Sequence, residues 1–228
     1  DLKKCKLSLM DKWALSKLNS LVDYVDKCLD EYKIFESARK MEEFVDELSN
    51  WYIRRCRERY WGKEMTEDKI SAYMTLYTVL VTLAKLTAPY TPFIAESIYQ
   101  NLVPEFYKDA PISVHLCDFP KSDAKMINKE LEDGMDLVLE IVNLGRSARN
   151  SSNIKNRQPL SKLFVAGDTK VKLSADLLDI AKDELNVKEV ERIKDSSSII
   201  TYKLKPQLKT LGPKYGKLLG KIKAFLET

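Results

Sequence analysis

Between Leu9 and Leu144 the apolar residues of this chain recur every three to four positions, in runs longer than a strand can use. Residues 8–31 carry Leu9, Trp13, Leu15, Leu18, Leu21, Val22, Val25 and Leu29 on one stripe. Residues 34–60 carry Met41, Phe44, Val45, Leu48, Trp51 and Tyr52. Residues 67–87 are apolar on most sides, from Ile70 to Leu86, and a shorter segment follows at 93–102. A long segment from Ser122 or Asp123 to Asn150 repeats the pattern with Ile127, Leu131, Met135, Val138, Leu139, Ile141, Val142 and Leu144. Ser8 with Asp11, and Thr66, are N-cap signals. Gly62, Pro89 and Pro92 are stops. Helices with one apolar face each bury it only against one another, so this pattern predicts an antiparallel bundle.

The patterning changes after Asn150. Ser151-Ser152-Asn153 is a breaker cluster. Residues 163–166 predict a short strand, 174–184 a helix, 187–193 an imperfect strand and 198–204 a better one, before a basic terminal helix. The chain is therefore expected to be mainly α. A helix-bundle domain would cover 1–156, and a small α/β subdomain 157–228.

With 228 residues, 44% hydrophobic, the chain can build a sizeable core. The net charge of +4 says little about partners, but its distribution says more. Residues 145–162 hold five Lys/Arg and no acid, and residues 203–223 hold seven Lys and no acid. Such runs are footprints for a polyanion. Cys5, Cys28, Cys56 and Cys117 stand at least 23 residues apart, which excludes CxxC zinc or redox pairs. Thiols without a signal peptide suggest a reducing, cytoplasmic setting. No run of 18 apolar residues predicts a membrane span.

Catalytic chemistry is hard to place. One histidine, His115, would have to serve any nucleophile system, and no third group is in view to orient it. Gly212-Pro213-Lys214-Tyr215-Gly216-Lys217 has three residues between its glycines where a phosphate loop needs four. No catalytic residue and no metal ligand set is predicted.

Binding chemistry is easier to find. Asn50-Trp51-Tyr52-Ile53-Arg54-Arg55-Cys56-Arg57-Glu58-Arg59-Tyr60-Trp61 packs four arginines, two tryptophans and two tyrosines into twelve residues. Arginine forks fit phosphate, and aromatic faces stack on bases. The core stripe here runs into Arg55 and Arg59. Either the helix has passed the core, or it aims cations into a groove. Arg146 and Arg149 lie one turn apart near the end of the long helix. Asn153, Lys155, Arg157 and Gln158 follow in the breaker loop, a donor and acceptor set suited to single-stranded RNA.

Six stretches resemble, in order, the C-terminal anticodon-binding region of isoleucyl-tRNA synthetases: Asp11–Asn19, Asp46–Arg55, Ala88–Phe93, Ser113–Leu116, Leu144–Arg149 and Lys205–Gly216. The resemblance is to the branch shared by eukaryotic, archaeal and some bacterial enzymes. It implies a bundle that receives the anticodon stem-loop of tRNA(Ile). Implied RNA contacts are Lys17, Asn19, Arg54, Arg55, Arg57, Arg146, Arg149, Asn153, Lys155, Arg157 and Gln158. Lys209, Lys214 and Lys217 would meet phosphates. In that family ATP and Mg are used by an upstream catalytic domain whose two-histidine signature this chain lacks. The chain is then expected to be a non-catalytic fragment, needing no cofactor and partnered by the rest of a synthetase. A protein-interaction scaffold without an RNA role is the alternative.

Overall fold

The computed structural model describes residues 2–167 and 171–193, with Lys209, residues 215–218, Lys221 and Phe225 of the remainder. The expected strand at 198–204 lies outside them, as does most of the expected closing helix. The described part is mainly α with one two-stranded sheet. Its helices are α1 (Leu9–Asp30), α2 (Ile34–Glu47), α3 (Arg57–Trp61), α4 (Glu67–Thr87), α5 (Pro92–Leu102), α6 (Lys129–Ser151) and α7 (Ala175–Leu185). The strands are β1 (Leu160–Ala166) and β2 (Val187–Ile193).

Two compact units result: 1–143 with 171–181, and 144–170 with 182–228. Relative to the boundary expected at 156, residues 144–156 group with the second unit and 171–181 with the first.

In the first unit α1 is central. Trp13, Leu15, Leu18, Leu21, Val22 and Val25 are all buried, and α1 packs against α2 and α4. Its start is a capping box: Ser8 Oγ accepts from the Asp11 N–H at 3.2 Å, and the Ser8 N–H donates to Asp11 Oδ2 at 2.9 Å. Helix α4 is long and apolar enough, by length and composition, to cross a membrane. It is instead a bundle helix that packs on α1 and α5, with Ala72, Val79, Ala84 and Leu86 buried. A satellite core forms where Ala84 and Ala88 meet Ala95, Tyr99, Val103 and Val114.

Two expected helices are interrupted. The helix expected over 34–60 splits into α2, a π-helical stretch at Leu48–Ile53 and α3. Adjacent Trp51 and Tyr52 are both buried there, and the wider π turn lets two large neighbours face one core. The long helix begins at Lys129, not at Ser122 or Asp123. The Ser122 hydroxyl donates to the Asn19 carbonyl at 2.9 Å, and the Asp123 carboxylate caps only a short 3-10 turn. Asn128 Oδ1, accepting from the Leu131 N–H at 3.0 Å, starts α6.

In the second unit β1 and β2 pair in parallel, from Leu160 opposite Val187 to Ala166 opposite Ile193. Parallel pairing needs a crossover, which α7 supplies. Glycine lets α6 and α7 approach closely at a point in each unit. A Cβ on Gly134 would lie 2.7 Å from Leu177 in the first, and one on Gly145 would lie 2.6 Å from Leu185 in the second.

Candidate nucleic-acid interface

The end of α6 is built to display a loop. Asn153 takes a left-handed conformation, φ 55°, which asparagine tolerates better than most residues. Its N–H donates to the Asn150 carbonyl at 3.1 Å, and the Ile154 N–H to the Arg149 carbonyl at 2.9 Å. This is a Schellman cap, with asparagine in the usual glycine place. Arg149, expected at an RNA surface, is instead only 5% exposed. Its Nη1 donates to the carbonyls of Lys155 and Gln158 at 3.1 and 3.0 Å. Its Nη2 donates to those of Leu185 and Asn186 at 2.6 and 3.2 Å. The five donors of a guanidinium fork allow one side chain to gather a whole loop in this way.

A second fastener is Asn186, also left-handed with φ 49°. Its Nδ2 donates to the carbonyls of Arg157 and Asn156 at 3.0 and 3.3 Å. The Gln158 N–H closes a turn onto the Lys155 carbonyl at 3.0 Å. The loop backbone is therefore tied from beneath, while the side chains of Asn153, Lys155, Arg157 and Gln158 are exposed. Arg146, half-exposed, forms an ion pair with Glu184.

The other arginine cluster belongs to the first unit. Arg54 and Arg57 are exposed and Arg55 is half-buried. Arg54 Nε donates to the Asn50 carbonyl at 2.8 Å, and its guanidinium sits 5.5 Å from the Trp51 ring centre. The Arg57 guanidinium sits 5.3 Å from that of Trp61. Arg59 answers the question posed by the stripe: it is neither past the core nor aimed at a groove. It donates to both Asp11 carboxylate oxygens, at 2.9 and 2.8 Å, and to both of Asp68, at 2.8 Å each. Asp11 is fully buried and also accepts from the Tyr52 hydroxyl at 2.7 Å. Burial pushes the Asp11 carboxyl up, but hydrogen bonds from Arg59, Tyr52 and Ser8 outweigh it and hold the group below the usual carboxylate range. Burial, with the hydrogen bond to Asp11, pushes the Tyr52 hydroxyl far upward. The sequence signal for this pair was an acid and a base each standing on an apolar stripe.

Lys17 and Asn19 are half-buried, and both bond to other residues of the first unit. Lys17 Nζ lies 3.0 Å from both Glu47 and Asp136. Burial lowers the Lys17 ammonium, and the two carboxylates more than restore it. Asn19 Nδ2 donates to the Leu15 carbonyl at 2.8 Å, and its Oδ1 accepts from the Asp123 N–H at 2.8 Å. Lys209 is exposed. Lys214 and the side chain of Lys217 lie outside the described residues. No group of three or more His, Cys, Asp or Glu suited to a metal occurs among the described residues.

Residues 11–164 match the model of the family described as the anticodon-binding domain of tRNA ligase. The chain belongs to that family. As an anticodon-binding domain it is similar to isoleucine–tRNA ligases of several bacteria. With that of Clostridium novyi it is 54% identical over 97% of this chain and 21% of the relative. With those of Clostridium tetani and Thermus thermophilus it is 51% and 42% identical, over 95% and 96% of this chain and 21% of each relative. The domain thus spans about a fifth of the length of the curated relatives it matches.

Proposed function

We propose that this chain is the anticodon-reading module of an isoleucine–tRNA ligase and binds the anticodon stem-loop of tRNA(Ile) in the cytoplasm. The observation that carries the reading is the 153–158 loop. Its backbone is fixed by Arg149 and Asn186, and its Asn, Lys, Arg and Gln side chains face outward. RNA sequence is read chiefly in unpaired loops, where base edges are open to such donors and acceptors. A fixed backbone reduces the entropy lost when those side chains engage. Arg54, Arg55 and Arg57 supply a second basic surface. Lys209, Lys214 and Lys217 would add phosphate contacts, which give affinity without sequence choice.

Isoleucine activation, with its ATP and Mg, belongs in this proposal to the rest of the ligase. This chain would contribute tRNA recognition alone. The test is a mobility shift with tRNA(Ile) across a salt series. With three to four phosphates neutralised, affinity should fall roughly 20- to 50-fold between 50 and 200 mM salt. A chain that fails to shift tRNA even at the lowest salt is a scaffold, and the proposal is then wrong.

A further inference from the structure

We infer that Trp61 is a stacking platform for one unpaired RNA base, a subsite separate from the 153–158 loop. The inference rests on the RNA-binding reading above and adds a contact that reading does not need. Of the three tryptophans, Trp13 and Trp51 are buried at 2% and 8% exposure, whereas Trp61 is 72% exposed. A single exposed apolar side chain is ordinary, so Trp61 gains meaning only from what holds it and what stands beside it.

The anchoring is extensive. Arg59, two residues before, is tied to Asp11 and Asp68. The neighbouring Tyr60 meets Tyr73 edge to face at 5.2 Å, and its hydroxyl reaches the Ala72 carbonyl at 3.5 Å. On the other side, the Gly62 carbonyl accepts from the Lys69 ammonium. The backbone on both sides of Trp61 is therefore held, and the Arg57 guanidinium lies against the ring. A rigid, exposed aromatic binds at low entropic cost.

The surroundings decide what it binds. Arg57 stands one turn before Trp61, with its guanidinium 5.3 Å from the ring centre. With Arg59 taken up by Asp11 and Asp68, residues 54–63 still hold Arg54, Arg55, Arg57 and Lys63 against the single acid Glu58. A nucleotide offers a flat π face and an anion at adjacent positions, and Trp61 with Arg57 offers the matching pair.

The test uses the intrinsic fluorescence of the chain, in which Trp61 supplies the solvent-exposed emission. The probes are the anticodon stem-loop of tRNA(Ile) and a fully paired hairpin of equal charge. The stem-loop should quench that emission and shield it from acrylamide, and the paired hairpin should do neither. By fluorescence anisotropy of labelled stem-loop, Trp61→Ala should weaken binding about 5- to 150-fold, while Trp61→Phe keeps most of the affinity. Circular dichroism should show both variants folded. If the wild type binds with Trp61 unquenched and Trp61→Ala binds equally well, the platform is refuted while the RNA-binding reading stands. If the wild type binds no RNA, both are refuted.

Discussion

Arg149→Ala tests most sharply whether a buried arginine organises the 153–158 loop. The side chain makes four hydrogen bonds to carbonyls. At about 1.5–3 kcal/mol for each charge-assisted bond, the ceiling is about 6–12 kcal/mol. That ceiling is too high, because only the bond to the Leu185 carbonyl is buried. Water can replace the donor at the other three, leaving about 0.5 kcal/mol each, while the Leu185 carbonyl loses the full 1.5–3 kcal/mol or so. Desolvation of a guanidinium that has no carboxylate partner among the described residues offsets part of the sum. The expected loss is about 3 kcal/mol. Urea unfolding followed by circular dichroism gives the stability. Hydrogen exchange at the Gln158 and Leu160 amides, which bond Lys155 and Asn186, reports the loop. Arg149→Lys should lose more than half as much, since an ammonium cannot span the four acceptors. RNA binding should weaken in step with loop protection. A variant within about 0.5 kcal/mol of wild type, with unchanged exchange but weakened RNA binding, would refute the reasoning and place Arg149 in direct contact with RNA.

Other expectations follow from the same geometry. Arg157→Ala should weaken stem-loop binding by about 1–3 kcal/mol if it reads a base, and leave urea stability within about 0.5 kcal/mol, because its side chain is exposed. Asp11→Asn should destabilise the bundle by about 3–5 kcal/mol at pH 7 by breaking a buried pair. Because the folded carboxyl sits below its unfolded value near 3.9, wild-type stability from this group is present above about pH 4 and is lost as pH falls through the lower folded value. Acid titrations of unfolding should show that loss in wild type and its absence in Asp11→Asn. Gly145→Ala places a methyl group 2.6 Å from the buried Leu185. Overpacking of about 1–3 kcal/mol should exceed the gain of about 1 kcal/mol in helix propensity, and thermal unfolding of Gly145→Ala/Leu185→Ala should show whether removing Leu185 relieves it.

The bundle was legible because its helices carry long 3.6-residue stripes and strong caps. Ser8 with Asp11, and Thr66, cap the helices they were expected to cap. The β-α-β order was also legible, with β1 starting three residues before its expected Leu163. Less legible was whatever depends on contacts between distant segments. The π-helical stretch at Leu48–Ile53 coincides with the burial of adjacent Trp51 and Tyr52, and propensity carries no such information. The α6 start moved because Asn19 captures Ser122 and Asp123. At the candidate site, residue type marked the basic loop but not which member faces inward. Arg149 and Arg157 look equivalent as letters, yet one gathers carbonyls beneath the loop and the other is exposed. Arg59, on a core stripe, proved to be the partner of a buried aspartate.

The central claim is that this chain distinguishes an isoleucine anticodon from another. Its most direct test is the ratio of dissociation constants for two stem-loops of identical stem, one with the tRNA(Ile) anticodon and one with the anticodon exchanged, at moderate salt. Loss of even one base contact should weaken the exchanged stem-loop by about 1–3 kcal/mol, a ratio of roughly 5 to 150. Equal affinity for the two, with both bound, would contradict the account and leave only sequence-independent attraction to phosphate.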